Sequence, residues 1–220
     1  MFDLFIFDLD DTLIQTEDFH YSAWVNVLST FKNFSLKGAL SRNAFFQIFH
    51  SLNNPHDIES YLSSFDLPVS YQELKILKKN EYIRILQNND LQMTKGAHSL
   101  ILNIINHNKK FVIVTNTSYD ILSIVLLKFP ILLLASKFYY SSPHVLPKPN
   151  SQCYMNVVND FPLLSKVGFE DSLIGIHALS QVSEITPFFI NNEQYYYTPY
   201  ILSNYHISFI PDFDYFHFCL

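Results

Sequence analysis

Cysteine is nearly absent from this chain. Cys153 and Cys219 are the only two in 220 residues, too few for a disulfide framework and without metal-ligand spacing. That usage fits a reducing cytoplasm, the expected location. Basic clusters are missing as well. The formal net charge is −6 and no dense run of Lys or Arg occurs, so broad binding to nucleic acid or to an anionic membrane is not expected. Charged residues make up only 15%, which argues against long disorder. No basic segment precedes the first apolar stretch, and Asp3 and Asp8 interrupt it, so a signal peptide is not expected. The apolar run Ile121–Ala135 contains Lys128 and Pro130. It falls short of the roughly 20 residues a membrane span needs, and reads as a buried helix followed by a loop.

What remains is rich in core material, with 49% hydrophobic residues in a length suited to one large domain or a core carrying a smaller one. Leu4–Phe7 is a continuous apolar run that stops abruptly at Asp8-Leu9-Asp10-Asp11-Thr12. Phe111–Val114 stops in the same way at Thr115-Asn116-Thr117-Ser118. Uninterrupted apolar runs suit strands covered on both faces, as in a parallel sheet. Ligands of open α/β sheets bind past the carboxyl ends of such strands. Further short strands are expected at Phe138–Tyr140, Lys166–Phe169, Phe188–Ile190 and Ile207–Ile210. Residues 15–94 differ. Glu17–Phe31, Arg42–Leu52 and Tyr71–Gln87 carry helical spacing without a convincing strand, and Ser70 with Glu73 has the pattern of a capping box. Helices are also expected at Ala97–Asn106 and Ser151–Asn159. The fold expected is α/β, a parallel-sheet core of residues 1–14 and 95–220 with a helical insert at 15–94.

Polar residues past these strand ends suggest one chemistry. Asp8 and Asp10, two positions apart, can both face a ligand if the chain turns there. Carboxylates that close repel, so either a cation keeps both ionised or one of them holds a proton. With Mg²⁺ present, Asp8 can attack phosphorus while Asp10 protonates the leaving oxygen. Thr115 can hold phosphoryl oxygens, Lys148 stands between Pro147 and Pro149, and Glu170-Asp171 supplies the hard oxygens Mg²⁺ prefers. Each has an ordinary explanation alone, since Asp-rich turns, helix caps and solvated loop lysines are common. Their joint occurrence in this order favours the chemical reading.

Together these segments resemble the haloacid dehalogenase-like hydrolases. Phe7-Asp8-Leu9-Asp10-Asp11-Thr12-Leu13 is similar to motif I, Val114-Thr115-Asn116 to motif II, Lys148-Pro149 to motif III, and Gly168–Ser172 with Gly175-Ile176 to motif IV. Lys95-Gly96-Ala97 resembles the usual approach to the motif II strand. The resemblance implies a Rossmann-like core with a helical-bundle cap inserted after the first strand. It also implies a phospho-aspartyl intermediate on Asp8 and an acid–base role for Asp10. Thr115 would then grip the phosphoryl group, and Lys148 would balance charge around Asp8. The implied Mg²⁺ ligands are Asp8, the Asp10 carbonyl and Asp171, with Glu170 as a further ligand, direct or through water.

Glu170-Asp171-Ser172-x-x-Gly175-Ile176 and the stretch from Thr16 through His20 to Trp24 are similar to the β-phosphoglucomutase-like branch. That likeness marks Thr16, His20, Arg42 and Lys79, with Asn116, as substrate-binding candidates. Retention of Asp10 points away from the dehalogenases and phosphonatases, whose leaving groups need no such acid. Ser151-Gln152 replaces the Pro-Asp frequent in the family, and no glycine lies between Gly175 and Pro187. These departures bear on loop geometry and substrate fit rather than on the chemical residues. The expected activity is Mg²⁺-dependent hydrolysis of a small phosphate monoester, sugar phosphates included. A phosphomutase is the nearest alternative, and a catalytically silent binding protein on the same scaffold the more distant one.

Overall fold

A computed structural model describes residues 2–31, 41–45, 55–64, 67–190 and 207–216. It divides into two compact units, residues 1–15 with 91–220, and residues 16–90.

The first unit is built on a six-stranded sheet, β1 (Leu4–Phe7), β4 (Lys110–Ser118), β5 (Lys137–Ser141), β6 (Lys166–Glu170), β7 (Ile185–Ile190) and β8 (Ser208–Ile210). The strands lie in the order β5-β4-β1-β6-β7-β8, and every adjacent pair is parallel. This is the parallel sheet expected from the apolar runs, and the Rossmann-like core that the family resemblance implies. All four β1 residues are buried because both faces of the central strand are covered. Alternation along β1 splits its side chains between two layers. Leu4 and Ile6 join a cluster with Val112, Val114, Tyr154, Val157, Ile176 and Leu179.

Phe5 and Phe7 meet aromatic rings that come from far along the chain. Phe7 stacks on Phe169 at 5.1 Å between centroids, and Phe213 lies edge-on to both at 5.6 and 5.4 Å. Phe216 packs edge-on against Phe5, Phe169 and Phe188. Edge-to-face pairs of this kind add to simple burial because ring edges and faces carry opposite partial charge. Part of the aromatic C-terminal stretch therefore closes one face of the sheet. The Tyr-rich stretch at 195–200 lies outside the described residues.

A two-residue ribbon pairs β2 (Ile14–Gln15) with β3 (Gln92–Met93) where the chain leaves and re-enters this unit. The sequence carries no strand signal there, since two residues are too few to show an alternation. Just beyond, Gly96 takes φ +77° at the start of the Ala97–Asn106 helix. A side chain there would strike Phe213 and Asp214, whose turn is tied down by Lys95 through Asp212 and Asp214. Both the positive φ and this close approach require glycine.

The second unit is helical: α1 (Glu17–Ser29), α2 (Arg42–Phe45), α3 (Pro55–Ser63) and α4 (Tyr71–Asn88). Residues 46–54, within or next to the expected Arg42–Leu52 helix, lie outside the described residues. Ser70 and Glu73 form the reciprocal capping box, the Ser hydroxyl accepting from the Glu73 N–H and the Glu carboxylate from the Ser70 N–H. Trp24, Val27, Leu28, Phe45, Leu62 and Leu74 make this unit's own core. Among the described residues, no helix is long and apolar enough to cross a membrane.

Candidate active site

Three parallel strands bring the polar segments to one edge. Phe7 is level with Ile113 of β4 on one side and Phe169 of β6 on the other. Asp8, one residue past Phe7, therefore emerges between the ends of its two neighbours, and its N–H donates to the Phe169 carbonyl at 3.0 Å. The chain order also reverses about β1, since β4 and β5 build outward on one side and β6 to β8 on the other. A crevice opens at such a reversal.

Lys148 is the hub of the site. It is 5% exposed, and its ammonium donates to Asp8 Oδ1 at 2.5 Å, Glu170 Oε1 at 2.6 Å and the Val114 carbonyl at 2.8 Å. An ammonium has three protons, and here each has an acceptor. Burial opposes the Lys148 charge, but Asp8 and Glu170 outweigh it and hold its pKa above the ordinary range. Asn116 fixes the segment that presents this lysine. Its amide oxygen accepts from the Lys148 N–H at 2.9 Å and its Nδ2 donates to the Lys148 carbonyl at 3.1 Å. The expectation for Asn116 was substrate contact. In the folded chain both ends of its amide also meet the Lys148 backbone.

Asp8, Glu170 and Asp171 are all buried, and one carboxylate oxygen from each lies within 4.8 Å of the others. Burial, together with Glu170 and Asp10, pushes the Asp8 carboxyl up to about 8 despite the pull of Lys148. Burial and the charges of Asp8, Asp11 and Glu170 likewise raise Asp171 well above the carboxylate range. The cluster has three acids and one lysine, so it lacks positive charge. Glu170 Oε2, fully buried, has no hydrogen-bond partner among the described residues. Hard oxygens, a charge deficit and an unsatisfied buried carboxylate oxygen fit a divalent cation such as Mg²⁺.

Two hydroxyls orient the flanking acids. Thr12 Oγ1 donates to Asp171 Oδ1 at 2.9 Å. Thr117 Oγ1 donates to Asp10 Oδ2. Thr115, buried, accepts the Thr117 N–H on its own Oγ1 at 3.0 Å, within the stretch of β4 where its register against β5 shifts between Val114 and Ser118. The Asp10 carbonyl accepts from the Thr12 N–H at 2.7 Å. Tyr154 donates its hydroxyl to Glu170 Oε1. Sequence reading did not mark Thr12, Thr117 or Tyr154 as site residues. Thr12 stands inside motif I, where a hydroxyl among acids was the available signal, and Thr117 directly follows motif II. Tyr154 had none.

Thr16, His20, Arg42 and Lys79 belong to the helical unit. Thr16 is buried and caps the start of α1, its carbonyl accepting the His20 N–H. His20 stacks on Tyr82 at 3.9 Å between centroids. Lys78, one position before Lys79, brings its Nζ to 2.6 Å from His20 Nδ1. Arg42 pairs with Asp18 and lies 5.9 Å over the Tyr21 ring. The sequence reading did not single out Lys78, because two adjacent lysines on a helix differ only in which way each faces.

The sheet, its order and the acids around Lys148 define an open α/β fold with a buried carboxylate–lysine cluster at the strand ends. More specifically, residues 5–179 match the haloacid dehalogenase-like hydrolase family, and the chain belongs to it. No curated protein matches the sequence. Among solved structures, one similar fold is a family IA, variant 3 hydrolase from Entamoeba histolytica, with TM-score 0.79 at 21% identity over 98% of this chain and 95% of that one. Another is CbbY from Rhodobacter sphaeroides in complex with phosphate, with TM-score 0.76 at 15% identity over 98% and 96%. A protein described as a predicted phosphoglycolate phosphatase from Haemophilus somnus has TM-score 0.74 at 18% identity over 96% and 95%. At these identities the likeness is one of fold.

Proposed function

We propose that this hydrolase is a Mg²⁺-dependent phosphatase that cleaves a small phosphate monoester through a phospho-aspartyl intermediate on Asp8. The observation that carries the reading is the buried contact of Lys148 with Asp8, in a cluster of acids that lacks one cation. A structural ion pair has no need of two further buried carboxylates beside it, whereas dianion transfer needs both the acids and the missing charge.

Mg²⁺ held by Asp8, Asp171 and the Asp10 carbonyl would supply charge for the phosphoryl oxygens and allow Asp8 to ionise near neutral pH. The chain's own residues do the rest. An Asp8 carboxylate oxygen attacks phosphorus, the ester P–O bond breaks, and Asp10 delivers its proton to the departing oxygen. Thr117 holds Asp10 for that transfer. Lys148 keeps Asp8 oriented and offsets the charge gathering around it, with Thr115 placing a phosphoryl oxygen. Asp10 then takes a proton from water as the water oxygen attacks phosphorus, and the bond to Asp8 breaks to release phosphate. The helical unit would act as a cap that selects substrate through Thr16, His20, Arg42 and Lys79, joined by Lys78. A sugar phosphate fits this reading, since a point mutant of CbbY is known with xylulose-(1,5)bisphosphate bound.

The test is release of phosphate from a panel of small esters with Mg²⁺ and with chelator, beside Asp8→Asn. Metal-dependent release that the substitution abolishes is expected. Turnover that survives Asp8→Asn sinks the nucleophile, and transfer to a second hydroxyl instead of water makes the chain a mutase.

A further inference from the structure

Tyr154 is 1% exposed on the Gln152–Asp160 helix, inside the apolar cluster that covers one sheet face. A phenylalanine would fill that space equally well. A buried hydroxyl instead must be satisfied, at a cost if it is not. Its partner is the Glu170 carboxylate, and the phosphoryl transfer outlined above uses no tyrosine hydroxyl.

The geometry around Glu170 supplies the reason. Both of its donors, Lys148 Nζ and Tyr154 Oη, converge on Oε1. Its other oxygen makes no hydrogen bond among the described residues, and a Cβ built on Gly175 would overlap the carboxylate. Gly175 thus leaves room for the group, and Tyr154 is the donor that turns it. The Lys148 ammonium also lies 5.3 Å from the Tyr154 ring centroid, close enough for cation–π attraction. Of the three acceptors that locate this ammonium, the Val114 carbonyl is fixed by β4. Asp8 is the group that reacts. Glu170 is the remaining, rotatable one, so whatever holds Glu170 sets where Lys148 stands.

We propose that Tyr154 is a positioning residue, whose hydroxyl locks Glu170 onto Lys148 and thereby holds Lys148 against Asp8. Glu170 then serves chiefly as the anchor of the lysine, leaving Asp8 and Asp171 as the carboxylates free to face a cation. The proposal rests on the phosphatase reading above.

The experiment uses the full chain, with ¹⁵N-labelled lysine, and turnover of p-nitrophenyl phosphate with Mg²⁺. The buried Lys148 ammonium resonance is assigned by its loss in Lys148→Arg. Tyr154→Phe keeps the ring and removes one hydrogen bond to a charged group. It is expected to lower kcat about tenfold with KM unchanged, and to shift the Lys148 resonance. On a Glu170→Gln background the same substitution is expected to change kcat less than about twofold, because residues acting in one chain are not additive. A kcat within twofold of wild type, an unmoved resonance, or an equal loss on both backgrounds overturns the proposal. Glu170→Asp, which keeps the charge but draws the carboxylate away from both donors, is expected to reproduce the loss. Should Tyr154→Phe fail to fold while Glu170→Asp retains full kcat, the hydroxyl is merely structural. A wild type that hydrolyses no ester defeats the phosphatase reading alone, and the resonance still reports whether Tyr154 sets the ammonium.

Discussion

Lys148 in the sheet unit and Arg84 in the helical unit are both cations held by carboxylates, yet they stand in opposite surroundings. The Lys148 side chain is 3% exposed and meets acids at 11% and 0%, while Arg84 is 61% exposed beside Glu81. Arg84 lies one helical turn beyond Glu81 and donates to it through Nε and Nη2, each at 2.7 Å. Asn26 adds a third donor and so links α1 to α4. Water could serve either partner in that pair, so its net worth is small. Water cannot replace the partners of Lys148, and burying an ion pair is seldom the cheapest way to stabilise a fold. Charge kept inside a core at a strand end therefore signals chemistry, and charge paired on a helix surface signals local structure.

The comparison breaks most visibly if the two pairs respond alike to truncation. Lys148→Met leaves the Glu170 carboxylate, and Asp8 once it ionises, buried without their cation. It is expected to cost roughly 3–5 kcal/mol in denaturant unfolding without metal, and to abolish measurable turnover. A cost below about 1 kcal/mol would place this pair with the exposed one. Thr117→Val removes the hydroxyl on Asp10 and is expected to lower kcat by about 1.5–3 kcal/mol in activation free energy, as a charged hydrogen bond is lost. The loss should be larger for alkyl than for aryl phosphates, because only poor leaving groups need the proton. Equal losses on both esters would remove Asp10 from the acid role.

The same contrast extends to pH. In chelator, the folded Asp8 carboxyl stands at about 8, above its ordinary value of 3.8, chiefly through burial. The folded state then keeps a proton that the unfolded chain releases, so this contribution is full at low pH and fades as pH rises from about 4 toward 8. Thermal midpoints of the metal-free protein should fall over that window, and Mg²⁺ should restore them most at the alkaline end. Glu81 runs the other way. Its carboxyl is lowered to about 2, first by the Arg84 hydrogen bond, so its contribution is full above about 4.5 and vanishes as pH falls toward 2. Replacing Arg84 by Ala should flatten that acidic limb and leave the alkaline one untouched. A smaller effect belongs to the cap of α4. Ser70→Ala removes the capping-box hydroxyl and is expected to cost about 1 kcal/mol in the helical unit with kcat unchanged. A change in kcat would show that this surface cap matters to the site.

Much of this was legible because the signals are local. Leu4–Phe7 and Phe111–Val114 are apolar at every position, and polar residues follow at once, so strand and candidate site are read within a few residues, although β4 itself runs on to Ser118. The capping box is equally local, a reciprocal pair three residues apart. Other features depend on distant partners. Tyr154 looks like any apolar helix residue until Glu170, 16 positions later, lies beneath its hydroxyl. Thr117 and Thr12 meet acids 107 and 159 positions away. Asn116 is a polar residue past a strand, and nothing adjacent tells whether its amide meets ligand or backbone. Phe213 and Phe216 give no sign of the rings they will touch. The Gln92–Met93 ribbon is shorter than any periodicity.

From its sequence alone, then, this protein was bound to form buried parallel strands with Asp8, Thr115 and Glu170-Asp171 placed where their apolar runs stop, because hydrophobic runs and the residues that interrupt them act over one or two turns of chain. The tertiary structure alone decided that Lys148 reaches Asp8, that Asn116 serves the Lys148 backbone, and that Tyr154 holds Glu170. Those outcomes depend on strand order and register, which bring segments 16 to 140 residues apart within hydrogen-bond distance, where directional bonds choose among side chains that composition cannot rank.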